Sequence, residues 1–192
     1  MRNIILASAS PRRKEILANT GLTFAVCSSN YEEDLALEKE PRALARFLSR
    51  MKAEEVAENH ANAIIIAADT FIVFKNKLLG KPSGPDDARR MLKLLSGKAH
   101  SVITGFTVID SKSNKKVSRS TETKVYFKKI TQTEINAYVR SGEPLDKAGA
   151  YAIQGLGAIF IEKIEGDFFN VVGLPVCALA ESLKKFGINI LT

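Results

Sequence analysis

Two arginines and a lysine fall in the first turn of a predicted helix near the start of the chain. The stretch LASASPRRKEIL, residues 6–17, indicates a strand end, a turn and a helix whose N-cap is Ser10. Cations at this end of a helix typically cost about 0.3–1 kcal/mol each, because it already carries partial positive charge. A bound phosphate would remove the conflict, since backbone N–H groups, the Ser8 hydroxyl and the guanidinium groups of Arg12 and Arg13 all suit an anion. We therefore expect an anion site at this turn, although a single exposed arginine would need no such explanation.

One acidic residue interrupts an apolar stretch further along the chain. Asp69 lies inside AIIIAADTFIVF, residues 63–74, which is typical of a buried strand. An unpaired carboxylate there would be costly, so Asp69 needs a partner. That partner is either a cation in a buried ion pair, such as an arginine, or a metal ion or water at a reaction centre that Thr70 adjoins. Glu32 and Glu33, in the loop after the second predicted strand, could supply further carboxylate oxygens, although most loop acids are simply solvated.

Two lysines and a glutamine stand in contexts that also suit a ligand. Lys52 continues the apolar stripe of its predicted helix, where a lysine ordinarily extends its ammonium to water. Lys81 lies between a glycine and a proline, so the backbone around it is stiff. Gln154 lies in DKAGAYAIQG, residues 146–155, a run of small residues typical of a loop that approaches a ligand or of an ordinary tight connection. Its amide can both donate and accept, as recognition of a nucleobase requires.

The charge balance favours a small anionic partner over nucleic acid. The chain has 28 Lys and Arg against 21 Asp and Glu, which gives a net charge of +7. The one dense basic run, KSNKK at residues 112–116, has no aromatic residues interleaved for base stacking. We interpret that run as a solvated turn and expect no stable nucleic-acid partner. A nucleotide would also account for the positive charge.

The composition indicates one cytoplasmic domain over residues 1–192. Its 192 residues are 45% hydrophobic, which is enough for a substantial core, as one domain or two closely joined lobes. We expect no membrane contact, because no leader or membrane-spanning pattern is present. Cys27 and Cys177 lie far apart and predict neither a disulfide nor a zinc site. His60 and His100 are also isolated, so any metal should be a hard cation held by carboxylates, such as Mg²⁺ or Mn²⁺.

Local patterns predict an α/β fold with a mixed central sheet and flanking helices. Thr131 and Glu134 form a capping-box pattern that starts a short helix. The predicted strands cover 3–8, 23–29 and 63–74, with a long hairpin over 100–130 and a second hairpin over 158–173. The other predicted helices run from Pro11 to Gly21, over 41–59, over 86–96 and from Pro175 to about Phe186.

Six short motifs together resemble the Maf family of nucleoside triphosphate pyrophosphatases. They are LASASPRR, AADT, GKP, LSGKAHSVITG, DKAGAYAIQG and VVGLP, and they occur in the family's order across nearly the whole chain. Each motif alone would be weak, but six in sequence make a chance match improbable. The resemblance implies an elongated, two-lobed α/β fold with a cleft, related to the inosine triphosphate pyrophosphatases, and a homodimer.

The resemblance also implies a reaction and a role for each matching residue. The reaction is hydrolysis of the bond between the α- and β-phosphates to give a nucleoside monophosphate and pyrophosphate, with a divalent cation such as Mg²⁺, Mn²⁺ or Co²⁺. Asp69 would accept the proton of the attacking water, and Glu33 with Asp69 would hold the metal. The matching phosphate contacts are Ser8, Arg12, Arg13, Lys52 and Lys81, of which the two lysines would also act in catalysis.

Within the family, the sequence is similar to the branch that prefers dTTP and UTP. Arg12, Thr70 and Gln154 match that branch's specificity positions. The nearest enzymatic alternative is the branch associated with 7-methyl-GTP, which lacks this form of the glutamine loop. A further alternative is a regulator of septum formation that binds nucleotide or nucleic acid without catalysis. Asp69 separates these classes, because a pure polyanion binder gains nothing from a carboxylate near its phosphates.

Overall fold

A computed structural model describes residues 2–31 and 40–191 of the chain. Within this part, the strands are β1 (Asn3–Leu6), β2 (Ala25–Val26), β3 (Ala63–Phe74), β4 (Lys77–Leu79), β5 (Ala99–Asp110), β6 (Lys115–Phe127) and β7 (Ile161–Glu165). The helices are α1 (Pro11–Ala18), α2 (Pro41–Glu58), α3 (Pro85–Leu95), α4 (Gln132–Arg140), α5 (Phe168–Val172) and α6 (Val176–Lys184). Three 3₁₀ segments, Glu143–Asp146, Ala148–Ala150 and Gly155–Phe160, follow α4.

The strands form one mixed sheet in the order β2-β1-β3-β5-β6-β7, and β4 pairs with β3. β1 is parallel to both β2 and β3, whereas β4 is antiparallel to β3 and β7 is antiparallel to β6. The mixed pairing and the helices between strands confirm the predicted α/β class. No helix among the described residues combines the length and apolar character that crossing a membrane requires.

One predicted hairpin needs correction, and one strand was not predicted. The second hairpin, predicted over 158–173, is wrong: β7 pairs with β6, and residues 168–172 form helix α5. The Asp167 carboxylate accepts from the amides of Phe169 (2.7 Å) and Asn170 (3.2 Å), so this aspartate starts a helix where the apolar pattern suggested a strand. The structure also adds β4, because Lys75 and Asn76 both adopt positive φ and make a two-residue turn.

The chain divides into two compact units. The first comprises Met1–Asp69, Thr104–Thr121 and Gly173–Thr192, and the second comprises Thr70–Ile103 and Glu122–Val172. Each unit has its own group of buried apolar side chains. The first includes Ile5, Ala53, Val56, Ile65 and Ile109, and the second includes Met91, Leu92, Phe127, Tyr138 and Phe160.

In the first unit, helix α2 packs unusually close to β5. A Cβ atom placed on Gly105 would lie only 2.1 Å from the carbonyl oxygen of Ala45, so a side chain cannot fit between them. One turn further along α2, the hydroxyls of Ser49 and Thr107 form a buried hydrogen bond of 2.9 Å. Steric contact and hydrogen bonding therefore fix α2 against the sheet. They also fix the position of Lys52, which lies on α2 one turn beyond Ser49.

In the second unit, a histidine is buried in an aromatic cluster. His100 is only 4% exposed, and its Nε2 atom forms a 2.7 Å hydrogen bond with the hydroxyl of Tyr151. The ring of Phe127 meets both of these rings edge to face. Within the described part of the chain, Nδ1 of His100 has no hydrogen-bond partner. Burial lowers the pKa of His100 from 6.5 to about 4, because the charged imidazolium would lose its hydration.

This buried histidine makes the stability of the fold depend on pH. His100 binds a proton near pH 6.5 in the unfolded chain but only near pH 4 in the folded protein. Its contribution to stability is therefore fully present above pH 6.5 and is lost as the pH falls toward 4, because the unfolded state then binds more protons. Between pH 7.5 and 5.5, the loss should be about 1 kcal/mol of unfolding free energy. Urea denaturation of the wild type and of His100→Gln at both pH values measures it, and the variant should lose correspondingly less. His60→Gln, which leaves His100 in place, is the matched control. Equal losses in the wild type and His100→Gln would contradict the prediction.

Candidate active site

The parallel pairing of β1 and β3 places two predicted site segments at the same part of the sheet. Leu6 lies opposite Ile66, and the amide of Ala7 donates to the Ile66 carbonyl at 2.7 Å. The turn that follows β1 therefore begins, at Ser8, beside the end of β3 that contains Asp69. Asp69 lies three residues after Ile66. The pairing of the two strands thus brings the turn predicted to bind an anion and the buried carboxylate of Asp69 into one region of the first unit.

Hydroxyl groups and Arg13 organise the turn before α1. Ser10 is the N-cap and accepts from the amide of Arg13, as the sequence predicts. The Ser8 hydroxyl accepts from the Ser10 amide (3.3 Å) and from Nη1 of Arg13 (3.1 Å). Nε of Arg13 donates to the carbonyl of Gly173 at 2.9 Å, which connects this turn to the VVGLP motif. Arg13 therefore holds the turn in place, and its predicted contact with phosphate stays a prediction.

Arg12 differs from its neighbour Arg13. It is half-buried, and it forms no hydrogen bond or ion pair with any residue in the described ranges. The first turn of α1 also has no acidic residue that would offset the helix dipole. The unfavourable charge predicted from the sequence is therefore present in the fold, and the binding of an anion by Arg12 stays a prediction.

Lys52 and Asp69 form a buried ion pair in the first unit. Their Nζ and Oδ1 atoms are 2.6 Å apart, and their side chains are 13% and 7% exposed. The ion-pair alternative for Asp69 is thus realised, with a lysine instead of an arginine. Lys52 directs its ammonium to Asp69 and not to water, so the ordinary interpretation of a lysine on an apolar stripe is wrong here. The pair also leaves the catalytic interpretation open, because both side chains are groups that phosphoryl chemistry uses.

Glu55, one turn after Lys52 on α2, was not predicted as part of the site. Its carboxylate accepts from the Ser29 hydroxyl and from the amides of Asn30 (3.2 Å) and Tyr31 (3.0 Å). The Ser29 hydrogen bond contributes most to holding the pKa of Glu55 below its usual range. Glu55 thereby anchors the segment that precedes residues 32–39. The donors to Glu55 lie 24 to 26 residues away in the sequence, so no local pattern predicts this role.

The predicted metal ligand Glu33 lies outside the described residues. Within residues 2–31 and 40–191, no three side chains of His, Cys, Asp or Glu gather closely enough to hold a metal by themselves. Asp69 is the predicted ligand that the structure describes. Mg²⁺ in nucleotide sites is commonly held by one or two carboxylates, with substrate phosphates and waters completing its octahedron. A single protein carboxylate is therefore compatible with a metal that arrives with its nucleotide.

The second unit brings together two loops that carry predicted site residues. The amide of Gly149, in DKAGAYAIQG, donates to the carbonyl of Gly80, in GKP, at 2.9 Å. Gly149 has a φ of +65°, a left-handed backbone conformation that favours glycine, and a Cβ atom there would displace Cδ1 of Ile72, which would lie only 2.5 Å away. The side chains of Lys81 and Gln154 are exposed on these loops. Thr70, the first residue of the unit, is half-buried.

Each unit thus assembles part of the predicted chemistry. The first holds the helix start that is predicted to bind an anion and a buried carboxylate with its lysine. The second holds an exposed lysine and an exposed amide on adjoining loops. The predicted residues of the first unit are Ser8, Arg12, Arg13, Lys52 and Asp69, and those of the second are Thr70, Lys81 and Gln154.

Comparison with known proteins gives a consistent result over the full length of the chain. A family model described as "Maf-like protein" matches residues 3–186. A dTTP/UTP pyrophosphatase of Methanosarcina barkeri is 52% identical, over 99% of this chain and 97% of the relative. A dTTP/UTP pyrophosphatase of Alkaliphilus metalliredigens is 50% identical, over 100% of both chains. A third, from Bacillus cereus, is 46% identical, over 99% of this chain and 98% of the relative. The chain belongs to the Maf family.

Proposed function

We propose that this protein is a pyrophosphatase that hydrolyses dTTP and UTP to the nucleoside monophosphate and pyrophosphate. The observation that carries the proposal is the buried pair of Lys52 and Asp69, in the same unit as a helix start with a half-buried arginine. The relatives at 46–52% identity, which carry the name dTTP/UTP pyrophosphatase, support the choice of substrates.

In this proposal, Asp69 accepts a proton from the water that attacks the phosphoanhydride. Before substrate binds, the carboxylate of Asp69 and the ammonium of Lys52 compensate each other's charge. A phosphate oxygen of the substrate is also an anionic ligand and can compete for Lys52. If a phosphate oxygen replaced Asp69 as the partner of Lys52, the carboxylate of Asp69 would become available to accept a proton from water. No covalent intermediate with the protein is required, since positioning and charge stabilisation account for most catalysis of phosphoryl transfer.

The remaining cations would stabilise the charge that develops on the phosphates. The turn at Ser8, the guanidinium groups of Arg12 and Arg13 and the ammonium of Lys81 would contact phosphate oxygens. Asp69 and Glu33 would hold the divalent cation, Mg²⁺, Mn²⁺ or Co²⁺. The cation would neutralise charge on the departing pyrophosphate.

Recognition of the base is assigned to Gln154, with Arg12 and Thr70 as further specificity positions. A fixed amide can pair with the O4 and N3–H groups that thymine and uracil share, whereas cytosine reverses this pattern. Since dTTP and UTP differ in the 5-methyl group and in the 2′-hydroxyl, a pocket that accepts both must require neither. A homodimer and a cytoplasmic location, where nucleoside triphosphates are made and used, belong to the same proposal.

The substrate preference leads to a direct assay. In an equimolar mixture of dTTP, UTP, CTP, ATP, GTP and 7-methyl-GTP with Mg²⁺, dTTP and UTP should be consumed first. We expect purine triphosphates to have kcat/KM values at least about tenfold lower, a difference of roughly 1.4 kcal/mol in transition-state binding. Chromatography should show nucleoside monophosphate and pyrophosphate as products. Nucleoside diphosphate would mean that the wrong anhydride is assigned, and early loss of 7-methyl-GTP would place the chain in the other branch. No turnover with Mg²⁺, Mn²⁺ or Co²⁺ would favour the regulator.

Asp69→Asn tests the proposed base. The amide keeps the size of the side chain and an oxygen that can accept from Lys52, but it removes charge and basicity. The kcat for dTTP should fall at least about a hundredfold, as is usual for loss of a general base. Asp110→Asn is the matched control, because Asp110 is also a buried aspartate of the first unit that pairs with a cation, Arg2, at 2.7 Å. It should lower the melting temperature without a comparable loss of kcat. A near-normal kcat in Asp69→Asn would make Asp69 purely structural.

Arg12→Ala tests the anion site at the start of α1. Because Arg12 has no partner among the described residues, its loss should leave the melting temperature unchanged or slightly higher. KM for dTTP should rise and kcat should fall, together reducing kcat/KM by about a hundredfold if a charge-assisted phosphate contact is lost. Lys14→Ala, an exposed cation in the same turn, is the control and should retain wild-type kinetics. Wild-type KM and kcat in Arg12→Ala would contradict the assigned anion site.

A further inference from the structure

The carboxylate of Glu143 accepts three hydrogen bonds, two of them from amides that directly follow the loop of residues 146–155, which carries Gln154. Its Oε1 atom accepts from the amide of Gly157 (3.0 Å) and from the hydroxyl of Tyr138 (2.8 Å), and its Oε2 atom accepts from the amide of Leu156 (3.0 Å). Burial by itself raises the pKa of Glu143, but these donors and the positive charge of Lys147 together outweigh burial and keep the pKa below its usual range. The ionised carboxylate therefore acts as an acceptor for the start of the 3₁₀ segment Gly155–Phe160.

Tyr138 extends this contact to the other side of the loop. Its hydroxyl is buried and accepts from the amide of Ala152 at 3.2 Å while it donates to Glu143. Ala152 lies two residues before Gln154, whereas Leu156 and Gly157 lie two and three residues after it. The hydroxyl and the carboxylate thus hold the backbone on both sides of Gln154. We call Glu143 and Tyr138 the loop clamp.

Two glycines allow the loop to come this close to the loop clamp. Gly155 has a φ of +81°, and a Cβ atom there would lie 2.7 Å from Oε2 of Glu143. A Cβ atom on Gly157 would lie 2.6 Å from the Tyr138 hydroxyl and 2.5 Å from the Ala152 carbonyl oxygen. Neither position can carry a side chain without displacing the clamp or the loop. The two glycines that follow Gln154 therefore allow the backbone of the loop to contact Glu143 and Tyr138 directly.

The side chain of Gln154 is exposed and forms no hydrogen bond with another described residue. Its direction therefore depends on the backbone that carries it, and that backbone is held by the loop clamp. We propose that Glu143 and Tyr138 are positioning residues that set the preference for thymine and uracil by fixing the Gln154 loop. This inference rests on the proposed function, because it assigns base recognition to Gln154.

The test is a comparison of kcat/KM for dTTP and for ATP in the wild type and a set of variants. Glu143→Gln replaces one acceptor oxygen by an amide group that faces an N–H donor, and Tyr138→Phe removes the hydroxyl alone. Each should reduce the dTTP/ATP ratio by about tenfold, mainly through a higher KM for dTTP. Gln154→Ala should give a similar loss, and adding Glu143→Gln to Gln154→Ala should change the ratio no further. Glu162→Gln makes the same chemical change at an exposed position of β7 and should behave as wild type.

A readout other than activity accompanies the kinetics. Hydrogen exchange of the Leu156 and Gly157 amides should accelerate at least about tenfold in Glu143→Gln, since Glu143 is their acceptor, and exchange of the Ala152 amide should accelerate in Tyr138→Phe, which removes its acceptor. If Glu143→Gln does not fold, Tyr138→Phe still tests the loop clamp, because it removes only one hydroxyl group.

The outcomes separate this inference from the proposed function. A wild type that does not discriminate dTTP from ATP overturns the proposed substrate preference, and the loop-clamp role with it. If the wild type discriminates and both clamp variants keep its ratio while only the melting temperature falls, the clamp is merely structural and the inference is overturned alone. A further loss of ratio from Glu143→Gln in the Gln154→Ala background would also overturn it, because Glu143 would then act other than through Gln154.

Discussion

The buried ion pair of Lys52 and Asp69 is the interaction on which the arrangement of the first unit depends. Both side chains are largely removed from water, and their 2.6 Å contact compensates the charge of each. Removing one partner of such a pair typically costs about 3–5 kcal/mol, because the other charge is left buried. The helix that carries the lysine and the strand that carries the aspartate must therefore keep a fixed spacing. The missing side chain at Gly105 and the hydrogen bond between Ser49 and Thr107 fix α2 against β5, which is the neighbour of β3 in the sheet, and so help to set that spacing.

Helix α2 connects this pair to the chain that enters residues 32–39. Lys52 and Glu55 are three residues apart, so their side chains leave neighbouring positions on the same helix. One contacts β3 through Asp69, and the other holds Ser29 and the two amides after it. A shift of α2 along its axis would disturb both contacts at once. The predicted base and the segment leading to the predicted metal ligand are thus positioned by one rigid element.

Local signals in the sequence predicted most elements, and non-local contacts account for what was missed. The proline that starts α2, the apolar run of β3 and the capping box of Thr131 and Glu134 each act over a few residues, and the structure has all three. The partner of Asp69 lies 17 residues away in the sequence, and the donors to Glu143 lie up to 14 residues away. No short pattern encodes such pairings. The failed hairpin has a different cause, since the apolar stretch after Asp167 forms a helix whose first amides donate to the Asp167 carboxylate.

The two arginines of α1 show how a fold can tolerate unfavourable charge at the start of a helix. Arg13 recovers interaction energy inside the protein, because its guanidinium bonds the Gly173 carbonyl and the Ser8 hydroxyl. Arg12 makes no such contact with the described residues, so the cost of its position near the helix dipole is not offset within that part of the fold. That cost, about 0.3–1 kcal/mol, is small beside the 5–15 kcal/mol by which domains are typically stable. A phosphate at the helix start would reverse the sign of this interaction, so the binding energy of such a ligand would include the relief of a repulsion that the free protein sustains.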